Sequence, residues 1–436
     1  MSLVFRDHQI LVISPGSLTT QAQMGLAESL VPALLETQTK VYRDGSRFAT
    51  TGSEDQAVWP LKQGEIADEA AFHFFLKSVY KSAVRADAVL PPALYLVSSV
   101  AWNRRQLEGL TRYLFEEVGV PALSVCMSGV TNAYAYATAN ALVIDVGFEK
   151  TEISAVVDSE VNLHASRIAP LGGNSINTRL SQLLPDLSET QVEDLKLSGI
   201  VETLLGDTTL AEQAEAEVRG KGEEDEGVID VAAIVSSGRT REILEQRERE
   251  LKGQVPEKKA NADLDQNTFT DRDGVEHTVG RERFNIGHKL IASIIDTVAL
   301  VHADLKPRAQ QQAWEHVIIT GRGSAVPGFK VKLLARLEEE FLVSRPPLMP
   351  EPIPNDAATM GRQTPSDSDY LTQVPTTIRL AKMADHFPEW KPKGWDTAGF
   401  LGAQIGAKQT FTSGFENLFL SRQDYNEVGP SAAADY

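Results

Sequence analysis

The sequence predicts an α/β fold in two lobes, and three observations lead to this prediction. The chain has 436 residues, of which 42% are hydrophobic, and this length exceeds what a single hydrophobic core usually serves. Apolar strand segments alternate with amphipathic helical segments between Ala93 and Ala137, as in a layered α/β lobe. A fresh set of strands begins at Ala141 and indicates the start of a second lobe.

The elements of the first lobe follow from hydrophobic patterning. The segment Leu3–Ile13 is rich in apolar and β-branched residues and is predicted to be a strand or a strand pair that Pro15-Gly16 ends. Asp68 is expected to begin a helix whose apolar residues have helical spacing. Further expected elements are a strand over Ala93–Val100, a helix over Asn103–Glu117, a strand over Ala122–Met127 and a helix over Val130–Ala137.

The second lobe is predicted from a similar alternation. Its expected elements are strands over Ala141–Asp145, Ile153–Val157 and Glu160–Ile168, a helix from Gly172-Gly173 to Pro185, an apolar helix over Ile286–His302 and a strand over Val317–Ile319. An acidic and helical insertion at residues 206–266 and a proline-rich loop at residues 344–370 interrupt this pattern. The expected first lobe comprises residues 1–135 and 395–436, and the expected second lobe comprises residues 136–394.

The composition excludes several classes of function. The formal net charge of -18 argues against a DNA-binding surface, because phosphate contacts need clustered Lys and Arg, whereas basic helices fit this balance as partners. Cys126 is the only cysteine and lies in an apolar run, so it is interpreted as an inert core residue in a reducing compartment. No stretch approaches the roughly 20 apolar residues of a membrane span, so the chain is predicted to be soluble and intracellular.

Three short glycine turns follow apolar strands at the positions where a split nucleotide site would lie. They are Ser14-Pro15-Gly16-Ser17, Asp145-Val146-Gly147-Phe148 and Thr320-Gly321-Arg322-Gly323-Ser324. A triphosphate site needs converging backbone amides, glycines that allow close approach, and cations. Part of this backbone geometry is preserved by Gly16, Ser17, Asp145, Gly147, Gly321 and Gly323, and Asp145 has the chemistry to hold a metal-bound water.

Five other residues argue against phosphate binding. Ser14 stands where a metal-facing Asp is expected, and Gln21 stands where a Lys would neutralise phosphate. Phe148 is bulky and Glu149 is anionic, and a carboxylate repels a polyphosphate in a low-dielectric cleft. Arg322 places a long side chain where a glycine would let a base lie flat. The sequence therefore predicts no catalytic residue, no metal site and no cofactor, and it leaves weak ATP binding open.

These residues and their order resemble actin and the actin-related proteins over almost the whole chain. The residues that carry the resemblance are Phe400–Ile405, Phe411, Phe419–Ser431, Trp59-Pro60, Asp273-Gly274 and Pro327-Gly328-Phe329. The resemblance implies an actin-like fold of two lobes and four subdomains around a central cleft. Within this family the chain is similar to the fungal actin-related-protein-nine group of the SWI/SNF and RSC chromatin remodellers, on the segments Gly172–Asn177, Ser237–Glu242 and Phe387–Lys391 and on the acidic run before Val231.

The resemblance also implies a function. Ser128 and Glu152 stand where actin has the Gln and the His that place the attacking water, so ATP hydrolysis is not expected. Proteins of this group are nuclear and bind the helicase-SANT-associated helix of a remodeller ATPase beside a second actin-related protein and other remodeller subunits. The expected partner groove is formed by Tyr134, Ala137, Ile405, Gly406 and Phe411, for which ordinary core packing is the alternative.

Two other functions stay open at this point. One is a nucleotide-dependent switch, a weak ATP binder or ATPase that closes a cleft as in actin or sugar kinases, which Phe148, Glu149 and Arg322 disfavour. The other is a histone-binding module that uses the acidic tract Glu212–Asp230.

Overall fold

The computed structural model describes residues 4–84, 90–204, 260–342, 375–383, 386–390, 394–414 and 418–434. These residues fall into two compact units. The larger unit lies within Met1–Asn174, Ala292–Ser324 and Leu337–Tyr436, and the smaller unit lies within Ser175–Ile291 and Ala325–Arg336. The lobe boundaries expected from the sequence stay a prediction. The proline-rich loop and residues 206–259 of the acidic insertion lie outside the described residues.

The alternation of strands and helices expected from the sequence is confirmed. The strands are β1 Ile10–Pro15, β2 Thr19–Met24, β3 Leu35–Gln38, β4 Val41–Asp44, β5 Arg47–Ala49, β6 Ala57–Val58, β7 Leu61–Lys62, β8 Glu65–Ile66, β9 Ala93–Ser98, β10 Ala122–Met127, β11 Ala141–Val146, β12 Thr151–Val157, β13 Glu160–Val161, β14 Arg167–Ala169, β15 Asn267–Thr270, β16 Glu276–Val279, β17 Val317–Thr320 and β18 Leu420–Ser421. The α-helices are α1 Glu69–Ala83, α2 Arg104–Tyr113, α3 Ser128–Ala135, α4 Asn174–Leu183, α5 Glu189–Leu197, α6 His288–Asp304, α7 Pro307–Trp314, α8 Phe329–Phe341, α9 Ala398–Thr412 and α10 Arg422–Val428.

Two sheets of the larger unit repeat one arrangement. The first sheet has the strand order β18-β10-β9-β1-β2-β3, and the second has the order β13-β12-β11-β17, with β14 also paired to β12. In the first sheet, β1 is antiparallel to β2 and parallel to β9. In the second sheet, β11 is antiparallel to β12 and parallel to β17. Each sheet therefore contains a hairpin whose first strand also has a parallel neighbour.

Local sequence explains where α1 and α2 begin. The side chain of Asp68 accepts a hydrogen bond from Ala71 N at 2.9 Å, which satisfies an amide at the start of α1. Asn103 and Gln106 form a reciprocal capping box at the start of α2. The helix expected after Asp68 is confirmed, and its buried face consists of Ala71, Phe72, Phe75, Leu76, Val79 and Tyr80.

Two expected strands were too long. The segment Leu3–Ile13 becomes a strand only at Ile10, because residues 7–9 form a 3-10 turn and Phe5 donates its amide to Phe411 O at 3.0 Å. The expected strand Glu160–Ile168 is broken into β13 and β14. Asn162 O accepts from Ser166 N at 2.9 Å, and this turn separates the two short strands.

Helices α3 and α9 cross with their backbones in contact. A Cβ atom on Gly402 would lie 1.6 Å from Thr131 O, and a Cβ atom on Gly406 would lie 2.4 Å from the Tyr95 hydroxyl oxygen. Glycine at these two positions of α9 is what permits this approach. Because α9 also packs on β1 and β9 and α3 packs on β11 and β12, the crossing joins the first sheet to the second.

In the smaller unit, a buried arginine and an asparagine hold the chain on both sides of residues 205–259. Asn261 Nδ2 donates to Ile200 O at 2.9 Å and to Glu202 Oε2 at 3.0 Å. The Arg283 side chain is fully buried and donates to Asn261 O at 2.9 Å. It also donates to the carbonyl oxygens of Leu264 and Gly280. We call Asn261, Arg283 and these partners the neck.

One stretch of the described chain, Arg281–Asp304, has the length and composition of a membrane-spanning helix, which the sequence analysis did not expect. It contains α6, and 56% of its most apolar part is buried inside the fold. A buried core helix meets the same criteria of length and apolarity, so the hydrophobicity of this stretch is explained by packing.

Candidate functional site

The first and second glycine turns have the same backbone geometry. Gly16 N donates to Thr19 O at 3.0 Å, and Gly147 N donates to Lys150 O at 2.8 Å. A Cβ atom on Gly16 would lie 2.8 Å from Thr19 O, and one on Gly147 would lie 3.0 Å from Lys150 O. Each glycine therefore closes a tight hairpin, β1–β2 in the first case and β11–β12 in the second.

The first hairpin brings together two of the residues expected to weaken phosphate binding. Ser14 in β1 lies directly opposite Gln21 in β2. Opposite residues of an antiparallel pair point to the same face of the sheet, so both neutral side chains belong to one local environment. Ser17 is half-buried in the turn between the two strands.

The second and third turns are packed backbone to backbone. Gly321 has a φ of +87°, and a Cβ atom there would lie 2.5 Å from Asp145 Oδ1. A Cβ atom on Gly323 would lie 2.8 Å from Gly147 O. The structure therefore brings Asp145, Gly147, Gly321 and Gly323 together, and glycine is needed at Gly321 for both its conformation and its close approach.

Glu152 lies at the centre of a buried polar cluster. Its side chain is 2% exposed, and Oε1 accepts from Ser128 Oγ at 2.5 Å. Glu152 Oε2 forms an ion pair with Lys150 Nζ and accepts from Ser99 Oγ at 2.7 Å. Lys150 Nζ also donates to Ser99 Oγ at 2.6 Å. Ser128 and Glu152, which the sequence resemblance matched to the water-placing Gln and His of actin, are thus hydrogen-bonded to each other in this chain.

The ionisation of Glu152 follows from these contacts. Burial by itself would raise the pKa of Glu152, but the positive charge of Lys150 and hydrogen bonds from Lys150, Ser128 and Ser99 hold it below its ordinary value. The carboxylate is therefore charged at neutral pH, and both of its oxygens already accept hydrogen bonds. A carboxylate with a lowered pKa is a weak general base.

The pKa of Asp145 is raised, in contrast to that of Glu152. Burial, together with the negative charge of Glu152, raises the pKa of Asp145 to about 6, while Lys150 and a hydrogen bond from Asn132 act in the other direction. Among the residues that the structure describes, no group of three or more His, Cys, Asp or Glu side chains is arranged to hold a metal ion. The charge of Asp145 at neutral pH is therefore a cost to the folded state.

Asp145→Asn is expected to stabilise the protein at pH 7. The folded carboxyl keeps its proton up to about pH 6, whereas the unfolded one ionises near pH 3.9, so the folded state holds more protons in this window and stability falls as the pH rises through it. The variant should gain about 1–3 kcal/mol at pH 7, and the gain should shrink as the pH approaches about 4. Urea unfolding followed between these pH values measures it. A stability gain of Asp145→Asn that does not depend on pH would contradict the raised pKa of Asp145.

The other charged residues of the turns have protein partners. Arg322 donates to both carboxylate oxygens of Glu36, at 2.6 Å from Nη2 to Oε2, and Nη1 donates to Thr19 Oγ1 at 3.3 Å. Glu149 Oε2 accepts from the backbone amide of Gln63 at 2.9 Å. Both side chains thus connect the second and third turns to the first hairpin and its neighbouring segments.

The residues of the expected partner groove have unequal exposure. Tyr134 and Ile405 are half-buried and Ala137 is exposed, whereas Gly406 is buried against Tyr134 and Tyr95. Phe411 is fully buried and packs edge-on against Phe5 with ring centroids 5.6 Å apart. Because its ring has no exposed surface, Phe411 shows the core packing that the sequence analysis gave as the alternative to a groove contact. The groove itself stays a prediction.

The single cysteine lies beside this region. Burial raises the pKa of the Cys126 thiol to about 11, and a hydrogen bond involving Tyr95 opposes this only in part. Because the thiolate is the reactive form, this raised pKa lowers the reactivity of the thiol at neutral pH, although the side chain is half-buried and not in the full core position that the sequence predicted.

The paired sheets and glycine turns are those of an actin-type protein. A sequence profile of the actin family, described as Actin, matches residues 8–295, and this chain belongs to that family. The α/β actin-like fold predicted from the sequence is thereby confirmed.

Individual relatives cover the chain to different extents. The SWI/SNF and RSC complexes subunit arp9 of Schizosaccharomyces pombe is 25% identical over 519 aligned residues, which span 98% of this chain and 98% of the relative. Actin-related protein 7 of Arabidopsis thaliana is 21% identical over 442 residues, 97% of this chain and 98% of the relative. Actin-related protein 4 of Arabidopsis thaliana is 28% identical over 145 residues, 33% of each chain. The resemblance to actin-related proteins and to this fungal group is confirmed.

Four residues of the site were missed by the sequence analysis. Lys150 directly precedes β12 and is two positions before Glu152, which the sequence analysis had named. Residues two apart in extended chain point to the same face, so the pairing of Lys150 with Glu152 was detectable. Ser99, Glu36 and Gln63 are distant from their partners along the chain, and no local pattern marks them.

Proposed function

We propose that this chain is a non-catalytic subunit of an ATP-dependent chromatin remodeller in the nucleus. In this proposal it binds the helicase-SANT-associated helix of the remodeller ATPase together with a second actin-related protein. The observation that carries the proposal is the similarity to the Schizosaccharomyces pombe SWI/SNF and RSC subunit over 98% of both chains. Similarity over the full length argues for a shared architecture and not for one shared motif.

The chemistry of the turns supports a non-catalytic role. Both oxygens of the Glu152 carboxylate already accept hydrogen bonds, from Ser128 on one side and from Lys150 and Ser99 on the other, which reduces its capacity to orient a water. Glu149 adds negative charge beside the second turn, and Arg322 is engaged by Glu36. These residues do not fit a magnesium triphosphate, because its charge would have to displace ion pairs already present.

The surface and charge of the chain support a basic helical partner. Helices α3 and α9 present the partly exposed apolar side chains of Tyr134 and Ile405, together with exposed Ala137. Apolar anchors of an amphipathic helix bind such a surface, and the net charge of -18 attracts Lys and Arg on its polar face.

Ile405→Lys is expected to weaken binding of a Lys/Arg-rich helicase-SANT-associated peptide by at least about tenfold, because it removes an apolar contact and adds repulsion. Leu300→Lys is the matched control, since Leu300 is a helical residue of α6 with 58% exposure and lies one turn before Asp304. We expect this control to bind within about twofold of the parent. Fluorescence anisotropy with the full chain measures both affinities, and nucleotide released by denaturing the complex is measured on the same sample.

Two outcomes would contradict the proposal separately. Equal affinities for Ile405→Lys and the parent would exclude the α3–α9 surface as the contact. Stoichiometric released nucleotide, or ATP turnover that Asp145→Asn abolishes, would exclude the non-catalytic assignment in favour of a nucleotide-dependent switch.

A further inference from the structure

Three sets of polar contacts connect the two sheets inside the larger unit. The first is the Arg322–Glu36 ion pair, the second is the bond from Gln63 N to Glu149, and the third is the cluster of Lys150, Glu152 and Ser99. We call them the bridging contacts. In each set, one partner belongs to the turns of the second sheet and the other belongs to the first sheet or to the segments connected with it.

The Arg322–Glu36 pair joins the third turn to an edge of the first sheet. Arg322 follows β17, whereas Glu36 lies in the edge strand β3. The guanidinium contacts both carboxylate oxygens, and this paired geometry fixes orientation as well as distance. The side chains are 47% and 39% exposed, so solvent screens their attraction and the pair is the weaker part of the bridging contacts.

The second turn is held from two directions. Gln63 N donates to Glu149 Oε2 at 2.9 Å. A Cβ atom on Gly64 would lie 2.6 Å from Lys150 Cδ, so the β7–β8 turn lies against the lysine side chain. Trp102 Nε1 donates to Gly64 O at 3.1 Å and fixes this turn in place.

Lys150 and Glu152 form the buried part of the bridging contacts. Their side chains are 17% and 2% exposed, and Ser99, which directly follows β9 of the first sheet, contacts both. Removing one charge of such a pair leaves the other buried without compensation, whereas removing both is far better tolerated. The buried ion pair therefore favours the arrangement in which Ser99 lies next to the second turn.

We propose that the bridging contacts hold the two sheets together in place of a bound nucleotide and its metal ion. They supply both kinds of charge that a metal-bound polyphosphate would supply, since they contain the cations Lys150 and Arg322 and the anions Glu36, Glu149 and Glu152. The closed arrangement is then a permanent property of the chain and needs no ligand. This inference rests on the proposed non-catalytic function and explains how that function is maintained without nucleotide.

Hydrogen–deuterium exchange of the full chain tests the inference. The double variant Arg322→Met/Glu36→Gln removes both charges of one bridging contact. We expect exchange of backbone amides in residues 61–66 to rise by about threefold, because all bridging contacts resist the same opening and an exposed pair contributes modestly to that resistance. In the reciprocal variant Lys150→Met/Glu152→Gln, we expect a similar rise in residues 320–324.

A matched control separates this effect from a general loss of ion pairs. Arg104→Met/Glu108→Gln removes a pair with a 2.8 Å contact inside α2 and should leave exchange in both segments unchanged. Changes confined to the substituted residues and their direct neighbours would overturn the inference. Protection of the two segments in the parent chain by excess Mg-ATP would also overturn the inference, because the contacts would then not replace a nucleotide. ATP turnover by the parent chain would instead overturn the proposed non-catalytic function.

Discussion

Gly402→Ala is expected to prevent stable folding of the larger unit. The added methyl group would lie 1.6 Å from Thr131 O and 2.9 Å from Ala135 N, and both are backbone atoms of α3 that have no flexible side chain to move away. Helix α9 would have to shift away from α3, and this separates surfaces packed at the density of a protein interior. We expect a loss of at least about 3 kcal/mol in unfolding free energy or a loss of soluble protein.

A control for this substitution lies in α2. Gly109 is inside that helix, and a Cβ atom there would meet nothing within 4 Å. Gly109→Ala should stabilise the protein by about 0.5–1 kcal/mol, because alanine is the better helix former. Thermal unfolding followed by circular dichroism compares the two variants directly. Equal stability of both would mean that α3 and α9 do not cross as described.

Arg283→Met is expected to destabilise the smaller unit by about 3–6 kcal/mol. The substitution keeps the apolar stem but leaves the half-buried carbonyl oxygens of Asn261, Leu264 and Gly280 without these donors, at about 1–2 kcal/mol for each group, in the lower part of the range for unsatisfied polar groups. Hydrogen exchange over residues 260–284 measures the effect locally, which separates it from changes in the larger unit.

Arg281→Met tests whether loss of any arginine in this segment changes hydrogen exchange over residues 260–284. The Arg281 side chain is 54% exposed and lies 3.6 Å from Asp265, which is 90% exposed. Exposed pairs of this kind contribute little to stability, so this variant should behave like the parent. If both variants changed exchange equally, the neck would not depend on the buried guanidinium.

Elements fixed by neighbouring residues were predictable from the sequence. The start of α1 at Asp68 and the glycine turns at Gly16 and Gly147 depend on caps and turns a few residues long, and the structure has them where they were expected, although strand β2 was not expected. The break between β13 and β14 was missed, because the turn at Asn162 depends on backbone hydrogen bonds that the hydrophobic pattern does not encode.

The site was predictable in its residues but not in their partners. Glu149 and Arg322 were expected to oppose a phosphate, and their charge alone supports that expectation. Their contacts with Gln63 and Glu36 depend on chain segments 86 and 286 residues away, for which a single sequence gives no evidence. The role of Phe411 could not be predicted for a different reason. An aromatic residue that anchors a partner and one that fills a core look alike in sequence.

The neck at Asn261 has a consequence for how this chain tolerates change. Since Asn261 contacts Ile200 and Glu202 directly, the described residues on the two sides of residues 205–259 are neighbours in space. The entropic penalty for joining two neighbouring points grows slowly with the number of residues between them, by about 0.6 kcal/mol for each doubling. A change in the number of residues between Glu202 and Asn261 is therefore expected to alter the stability of the surrounding fold only slightly.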